Sequence, residues 1–413
     1  MRFTTRATRL LWALGAVLAT ACGINRQGFV DAPSGDLAHV GVDRGRFDAP
    51  QQRACGSGGP SGGSAFVRWP YLQKVQPDGF ELLWTTEARH HFTVIVTEPD
   101  GRTITTATAV RDRNASPPES ALQYVAALDD LPADTLLCYQ VVAEGRVWTR
   151  PTGVRTAPRD PDASVRFVAM GDLGKRSPDQ LAVARQLRDV QFDFMLLTGD
   201  IAYDKGKRVE LEQYFFDVYP DILATVPAFP ASGNHDYRTE DAAPFREAFS
   251  LFDNGAPHGL DRWYSFDWGP VHVVVLDTEI ADETQVRWLD RDLSDHDRPW
   301  TIAVQHRPAY SSGHHGSDDR ARELFAPVFE RHGVPLVLTG HDHHYERSRP
   351  IRGVVHVVTG GGGRGTRRTG RSDFTAVSAR VAHFVWLEAD ASTLRMVAVD
   401  ATGHEFDSLL LTR

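Results

Sequence analysis

Cysteine is almost absent, with three in 413 residues at positions 22, 55 and 138. Thiols this sparse, with no two grouped, exclude a thiolate zinc or iron–sulfur site. Long blocks of one charge are also missing, and the formal net charge of −9 argues against a nucleic-acid surface, because phosphate backbones demand clustered Lys and Arg. The apolar run at 10–19 is too short to span a bilayer. "GGGG" at 360–363 lacks the helix and the Lys-Ser/Thr of a nucleotide-binding loop, so it reads as a sharp turn between sheet strands. What remains is ordinary for a folded soluble chain, 41% hydrophobic and 24% charged. Its length predicts two or more folded units.

Arg2, Arg6 and Arg9 precede the 10–19 run and small residues follow it, so residues 1–22 are expected to be a secretory signal peptide. "LATAC" resembles a bacterial lipoprotein signal, with Ala19 where a larger aliphatic is usual; a lipid anchor at Cys22 and simple cleavage both stand. The expected location is periplasmic, extracellular or tethered to the cell envelope. In that oxidising setting Cys55 and Cys138 have two readings: they pair, or Cys138 in "LLCYQVV" is an inert core thiol. Residues 23–64 end in "GSGGPSGGS" and read as a flexible linker. The sequon at Asn114 matters only in a host that glycosylates.

From 65 to 158 short β-type runs ("FELLWTT", "FTVIVTE", "TITTATAV", "LLCYQVVA") alternate with turn signals, the pattern of an antiparallel β-sandwich. "LPADTLLCYQV", with Tyr139, resembles the corner before a late strand in fibronectin type III domains. From 164 to 413 aliphatic strands such as "VRFVAM", "FDFMLLT" and "VPLVLT" alternate with expected helices at 178–190, 210–224, 283–294 and 319–332, the last stopped by Gly333. The tail is β-rich. The fold class is α/β (α+β).

Five polar motifs fall on five strand exits: "MGDLG" with Asp172, "TGDIAYD" with Asp200 and Tyr203, "SGNHD" with Asn234, His235 and Asp236, "VQHRP" with His306, and "GHDHHYER" with His341 and His343. Alone, each reads as a turn or a loop histidine. Five independent turns give no reason for two carboxylates, a carboxamide, a phenol and three imidazoles at one rim of an open α/β sheet, where side chains converge. The set supplies mixed oxygen and nitrogen donors for iron, zinc or manganese.

In this order the motifs resemble the calcineurin-like metallophosphoesterases, and specifically the purple acid phosphatases, over 167–347, with a preceding domain similar to the fibronectin type III-like unit of their long forms. The resemblance implies two packed mixed β-sheets flanked by helices and a binuclear centre. Asp172, Tyr203 and His343 would bind Fe³⁺. Asn234, His306 and His341 would bind Fe²⁺, Zn²⁺ or Mn²⁺, and Asp200 would bridge. It implies an acid phosphatase that hydrolyses phosphate monoesters with a metal-activated hydroxide. His235, oriented by a carboxylate, and the loop histidines His315 and His314 would serve as catalytic or substrate-facing groups.

His344, Tyr345, Glu346 and Arg347 read as packing behind the ligands, and His272 and His356 as core or edge residues. The expected partner is a small phosphate ester, with no nucleic-acid scaffold. Cleavage of phosphodiesters or nucleotides with the same metals is an alternative, as is a non-catalytic surface binding module.

Overall fold

The computed structural model describes residues 28–30, 42–44, 53–61, 65–113, 115–117, 121–255 and 262–413. The expected leader at 1–22 with Cys22, and Asn114, lie outside the described residues. Among the described residues no helix is long and apolar enough to cross a membrane.

Two antiparallel sheets occupy the first unit. One orders Phe66–Gln76, Gly79–Thr86, Leu122–Leu128 and Val110–Arg111. The other orders Thr152–Arg155, Leu136–Ala143, Phe92–Thr97 and Thr103–Thr108, with Arg146–Val147 beside Leu136–Ala143. Phe92, Val94 and Val96 are buried while Thr93, Ile95 and Thr97 are half-buried, the period of two expected of a strand with one inner face. The run "TITTATAV" is not one strand. Ala109 donates its N–H to Phe92, and the chain passes there from one sheet to the other.

Cys55 and Cys138 form a disulfide with 5.5 Å between their Cα atoms, so Cys138 is not a free core thiol. The Gly28–Val30 strand pairs with Leu410 to Thr412. At these positions the expected flexible linker is corrected, because a covalent bridge and a sheet edge fix a stretch whose composition alone suggests freedom.

The second unit contains two seven-stranded sheets. In the first, Val165–Met170, Phe194–Leu197 and Ala228–Pro230 run parallel, and His383–Ala389, Thr393–Asp400 and Glu405–Thr412 extend it antiparallel. In the second, Val271–Val275, Trp300–Gln305, Leu336–Thr339 and Val355–Thr359 run parallel, with antiparallel strands at both sides. The sheets meet through aromatics: Phe229 stacks on Phe266 at 4.0 Å and Phe194 meets Trp268 at 4.9 Å. The Glu283–Asp295 helix, capped by Asp282, turns Trp288, Leu289 and Leu293 into an outer apolar layer.

The helix expected over 319–332 breaks into Asp319–Leu324 and Ala326–His332. Pro327 has no N–H to continue the ladder, and Gly333 closes the second piece in a left-handed conformation (φ 66°). Pro220 likewise interrupts the helix expected over 210–224.

His356 is buried, and its Nδ1 has no partner among the described residues. Burial pushes its pKa from 6.5 down to about 3. Between those values the unfolded chain holds the extra proton, so acid destabilises the fold by about 1.4 kcal/mol per pH unit at this residue. His356→Leu should reduce the stability lost between pH 6 and 4.5 by about 2 kcal/mol in urea titrations. An unchanged pH slope would refute the assignment.

Candidate metal centre

The parallel strands of both sheets end at one crevice. Met170 leads to Asp172, Leu197 to Asp200 and Tyr203, Pro230 to Asn234, Gln305 to His306, and Thr339 to His341 and His343. Asp172, Asp200 and His341 have φ of 56°, 53° and 70°, so the backbone turns sharply at three of these exits. Glycines let the exits close in. A Cβ at Gly233 would strike Asp200's carboxylate, and one at Gly340 would meet Asp172 Oδ2.

The structure brings all seven expected donors together. Tyr203 Oη lies 2.7 Å from Asp172 Oδ1, 2.7 Å from Asp200 Oδ2 and 3.2 Å from His343 Nε2. On the other side, His306 Nε2 lies 3.2 Å from Asn234 Oδ1, 3.3 Å from His341 Nδ1 and 3.5 Å from Asp200 Oδ1. Asp200 therefore turns one oxygen to each half. One oxygen or nitrogen from each of Asp172, Asp200 and His306 falls within 4.8 Å of the others, close enough to hold one ion.

The donor chemistry fits cations. Tyr203 has one proton for two carboxylate oxygens, so one of its 2.7 Å contacts sets lone pair against lone pair. His306 Nδ1 bonds to the Thr198 carbonyl at 2.8 Å and His343 Nδ1 to the Gly365 carbonyl at 3.0 Å. Each Nε2 then presents a lone pair inward, as ligating imidazoles do.

Burial pushes Asp172's carboxyl up, but His343's hydrogen bond and charge outweigh it and hold the group well below the usual carboxylate range. Burial, then the charges of His306 and Arg307, push His341 down to about 2, leaving a neutral donor. Burial and both carboxylates raise Tyr203 well above its ordinary value, so a strong Lewis acid would be needed to take its proton. Asp236 points away from the donors to accept N–H bonds from Gly233 at 2.8 Å and Ile201 at 3.1 Å.

His235 lies beside the cluster, with its ring 4.3 Å from that of Tyr203 and Nε2 3.9 Å from Asp200 Oδ2. Its orienting partner is the Asp204 backbone carbonyl, 2.6 Å from Nδ1, and not a carboxylate. Asp204's own carboxylate is engaged by Lys175 and Arg364. Both loop histidines are exposed; the His315 ring packs 4.4 Å from that of His341, and the His314 ring lies 4.9 Å from that of His315. Behind the ligands His344 meets Glu346 at 3.2 Å, and Tyr345 and Arg347 share Asp407.

Two contributors escaped the sequence reading. Asp342, fully buried between two of the histidines, accepts N–H bonds from His315 at 2.8 Å and Gly316 at 3.2 Å and so pins that loop. The second is the segment after the glycine run, where Arg364 donates its N–H to Asp172 and Arg367 donates to His343. Only the density of glycine before Arg364 hinted at so close an approach.

Residues 165–345 match the Calcineurin-like phosphoesterase family. "Acid phosphatase type 7" of Homo sapiens is 30% identical over 263 residues, covering 52% of this chain and 58% of its own length. "Probable inactive purple acid phosphatase 27" of Arabidopsis thaliana is 29% identical over 272 residues, 52% of this chain and 44% of its own. The chain thus spans about half the length of these curated relatives. A purple acid phosphatase from yellow lupin seeds shares the fold with a TM-score of 0.73 at 22% identity, over 84% of this chain and 74% of the lupin chain. The convergent donors supply a candidate metal site on that fold. Residues 165–345 therefore form a calcineurin-like metallophosphoesterase domain with purple acid phosphatases among its relatives.

Proposed function

We propose that the chain is an exported acid phosphatase acting on small phosphate monoesters, preceded by a fibronectin type III-like domain. Asp172, Tyr203 and His343 would hold Fe³⁺, and Asn234, His306 and His341 would hold Fe²⁺, Zn²⁺ or Mn²⁺, with Asp200 touching both. The observation that carries this reading is the division of Asp200, Oδ2 toward Tyr203 and Oδ1 toward His306. When bound, the cation pair supplies Lewis acidity toward phosphate oxygens and lowers the pKa of a solvent molecule. Export rests on the N-terminal leader pattern.

The chain's own groups complete the chemistry. Water oxygen bonds to phosphorus, the ester P–O bond breaks, and one proton must reach the leaving oxygen. His235, anchored through Nδ1, turns Nε2 toward the cluster and can hold that proton there. His315, fixed by Asp342, stands beside His341 on the opposite flank to contact the ester.

Metal analysis with a visible spectrum tests the centre. Two ions per chain, one of them iron, and a phenolate absorption band that disappears in Tyr203→Phe are expected. A colourless zinc-only protein would overturn the iron assignment. Hydrolysis of p-nitrophenyl phosphate should peak below pH 7 and exceed that of the bis(p-nitrophenyl) diester at least about ten-fold, a difference of roughly 1.4 kcal/mol. A faster diester would favour the diesterase reading.

A further inference from the structure

Glu210 does more than start the short helix Arg208–Leu211. In "YDKGKRVE", at 203–210, its carboxylate accepts the Lys207 N–H at 2.9 Å, the one bond that a capping box asks of the third helical residue. It also accepts the N–H groups of Asp204 at 3.0 Å and Lys205 at 2.9 Å, both outside the helix. Those two further bonds fasten the strand exit that carries Tyr203, which a helix cap alone does not require.

The Lys205 N–H shares one peptide group with the Asp204 carbonyl, and that carbonyl lies 2.6 Å from His235 Nδ1. In a trans peptide the N–H and the carbonyl point in opposite directions, so carboxylate, peptide and imidazole run as one hydrogen-bonded chain. Each bond polarises the next, which makes the Asp204 oxygen a better acceptor than an isolated carbonyl. Arg238 Nη1 donates to the same oxygen at 3.3 Å, and Thr239 Oγ1 donates to the Lys205 carbonyl at 2.7 Å. Gly206 presses this loop onto the histidine, since a Cβ there would strike the Asp236 Cα and the His235 carbonyl.

We infer that Glu210 is a positioning residue for His235, its carboxylate acting through the Asp204–Lys205 peptide to keep the ring in the Nδ1–H form with Nε2 aimed at the cluster. This rests on the reading of His235 as the group that holds the leaving-group proton. As the ester P–O bond breaks, its electron pair stays on the leaving oxygen, which takes the proton from Nε2. Nδ1 keeps its own proton, and solvent returns one to Nε2. Leaving groups that depart badly without a proton should therefore feel Glu210 most.

Kinetics on the full-length, metal-loaded protein compare propyl phosphate, whose alkoxide needs a proton, with p-nitrophenyl phosphate, whose phenolate leaves without one. Glu210→Ala should lower kcat about 30-fold for propyl phosphate and less than about three-fold for p-nitrophenyl phosphate, because a displaced general acid forfeits part of a factor of this order. KM and metal content should match wild type. Glu210→Gln, which keeps one acceptor oxygen, should fall between, and His235→Ala should show the same selectivity more strongly. A second readout needs neither metal nor substrate: in NMR of the full-length chain labelled at its histidines, the Nδ1–H signal that His235→Ala removes should be present in wild type and lost to solvent exchange in Glu210→Ala.

Equal losses on both esters in Glu210→Ala, no loss on either, or a His235 Nδ1–H signal unchanged in that variant overturns the inference. His235→Ala without selectivity would sink the reading of His235 together with it. A wild type that hydrolyses neither ester would sink the phosphoesterase reading, and the NMR comparison would still decide whether Glu210 holds His235. Should Glu210→Ala fail to fold, Glu210→Gln carries both comparisons.

Discussion

Asp200→Asn should reduce phosphate-ester turnover about 10³-fold, equivalent to roughly 4 kcal/mol of lost transition-state stabilisation. The carboxylate is nearly fully buried, and its two oxygens serve different partners. Oδ1 accepts the His235 N–H at 2.7 Å and faces His306 Nε2, while Oδ2 lies 2.7 Å from Tyr203 Oη. A carboxamide of the same shape must put its NH₂ on one side. There it meets either the His235 N–H or the Tyr203 hydroxyl, and one negative charge is lost from a site built for cations. Elemental analysis should show fewer than two ions per chain alongside the kinetic loss. Activity within ten-fold of wild type would place the chemistry elsewhere.

Arg68→Ala should destabilise the protein by about 3–5 kcal/mol, because it strands Glu212 as an unpaired buried charge. Arg68 belongs to the first sheet of the N-terminal unit and is 5% exposed; Glu212 belongs to the phosphoesterase domain and is 8% exposed. Arg68 Nε donates to Glu212 Oε2 at 3.0 Å, Nη1 donates to Tyr71 Oη at 2.9 Å, and the guanidinium stacks 3.8 Å over the Phe216 ring. Tyr71 Oη in turn donates to the Ala248 carbonyl at 2.8 Å. The double replacement Arg68→Met with Glu212→Leu should recover most of the loss, since an apolar pair of similar volume carries no unpaired charge. Chemical denaturation of the two variants beside wild type measures both effects. Equal destabilisation by the single and double changes would show that packing, not charge, holds this interface.

The α/β pattern and the seven donors were legible because strand alternation and residue type at strand exits are local properties. Asp172, Asp200, His306, His341 and His343 each follow an aliphatic run that announces where it stops, whereas Asn234 follows only the short Ala228–Pro230 strand. Other features depend on partners far along the chain. The Cys55–Cys138 bridge closes a separation of 83 residues, and Arg68 meets Glu212 across 144. No periodicity encodes either. The orienting partner of His235 was misjudged for a related reason: a backbone carbonyl at Asp204 leaves no trace in residue type. The helix break near Phe325 was readable from Pro327, but the apolar spacing of Leu324, Phe325, Val328 and Phe329 continued through it and outweighed it.

The glycines that crowd the centre have a bearing on how such a protein diversifies. At Gly233, Gly340 and Gly360 even a methyl group would intrude on a neighbouring oxygen, so drift there is blocked at the smallest possible step. Arg368 and Arg371, a few residues along from the last of them, are exposed to solvent and free of that crowding. Change at those two positions can therefore accumulate without pressing on the converging side chains.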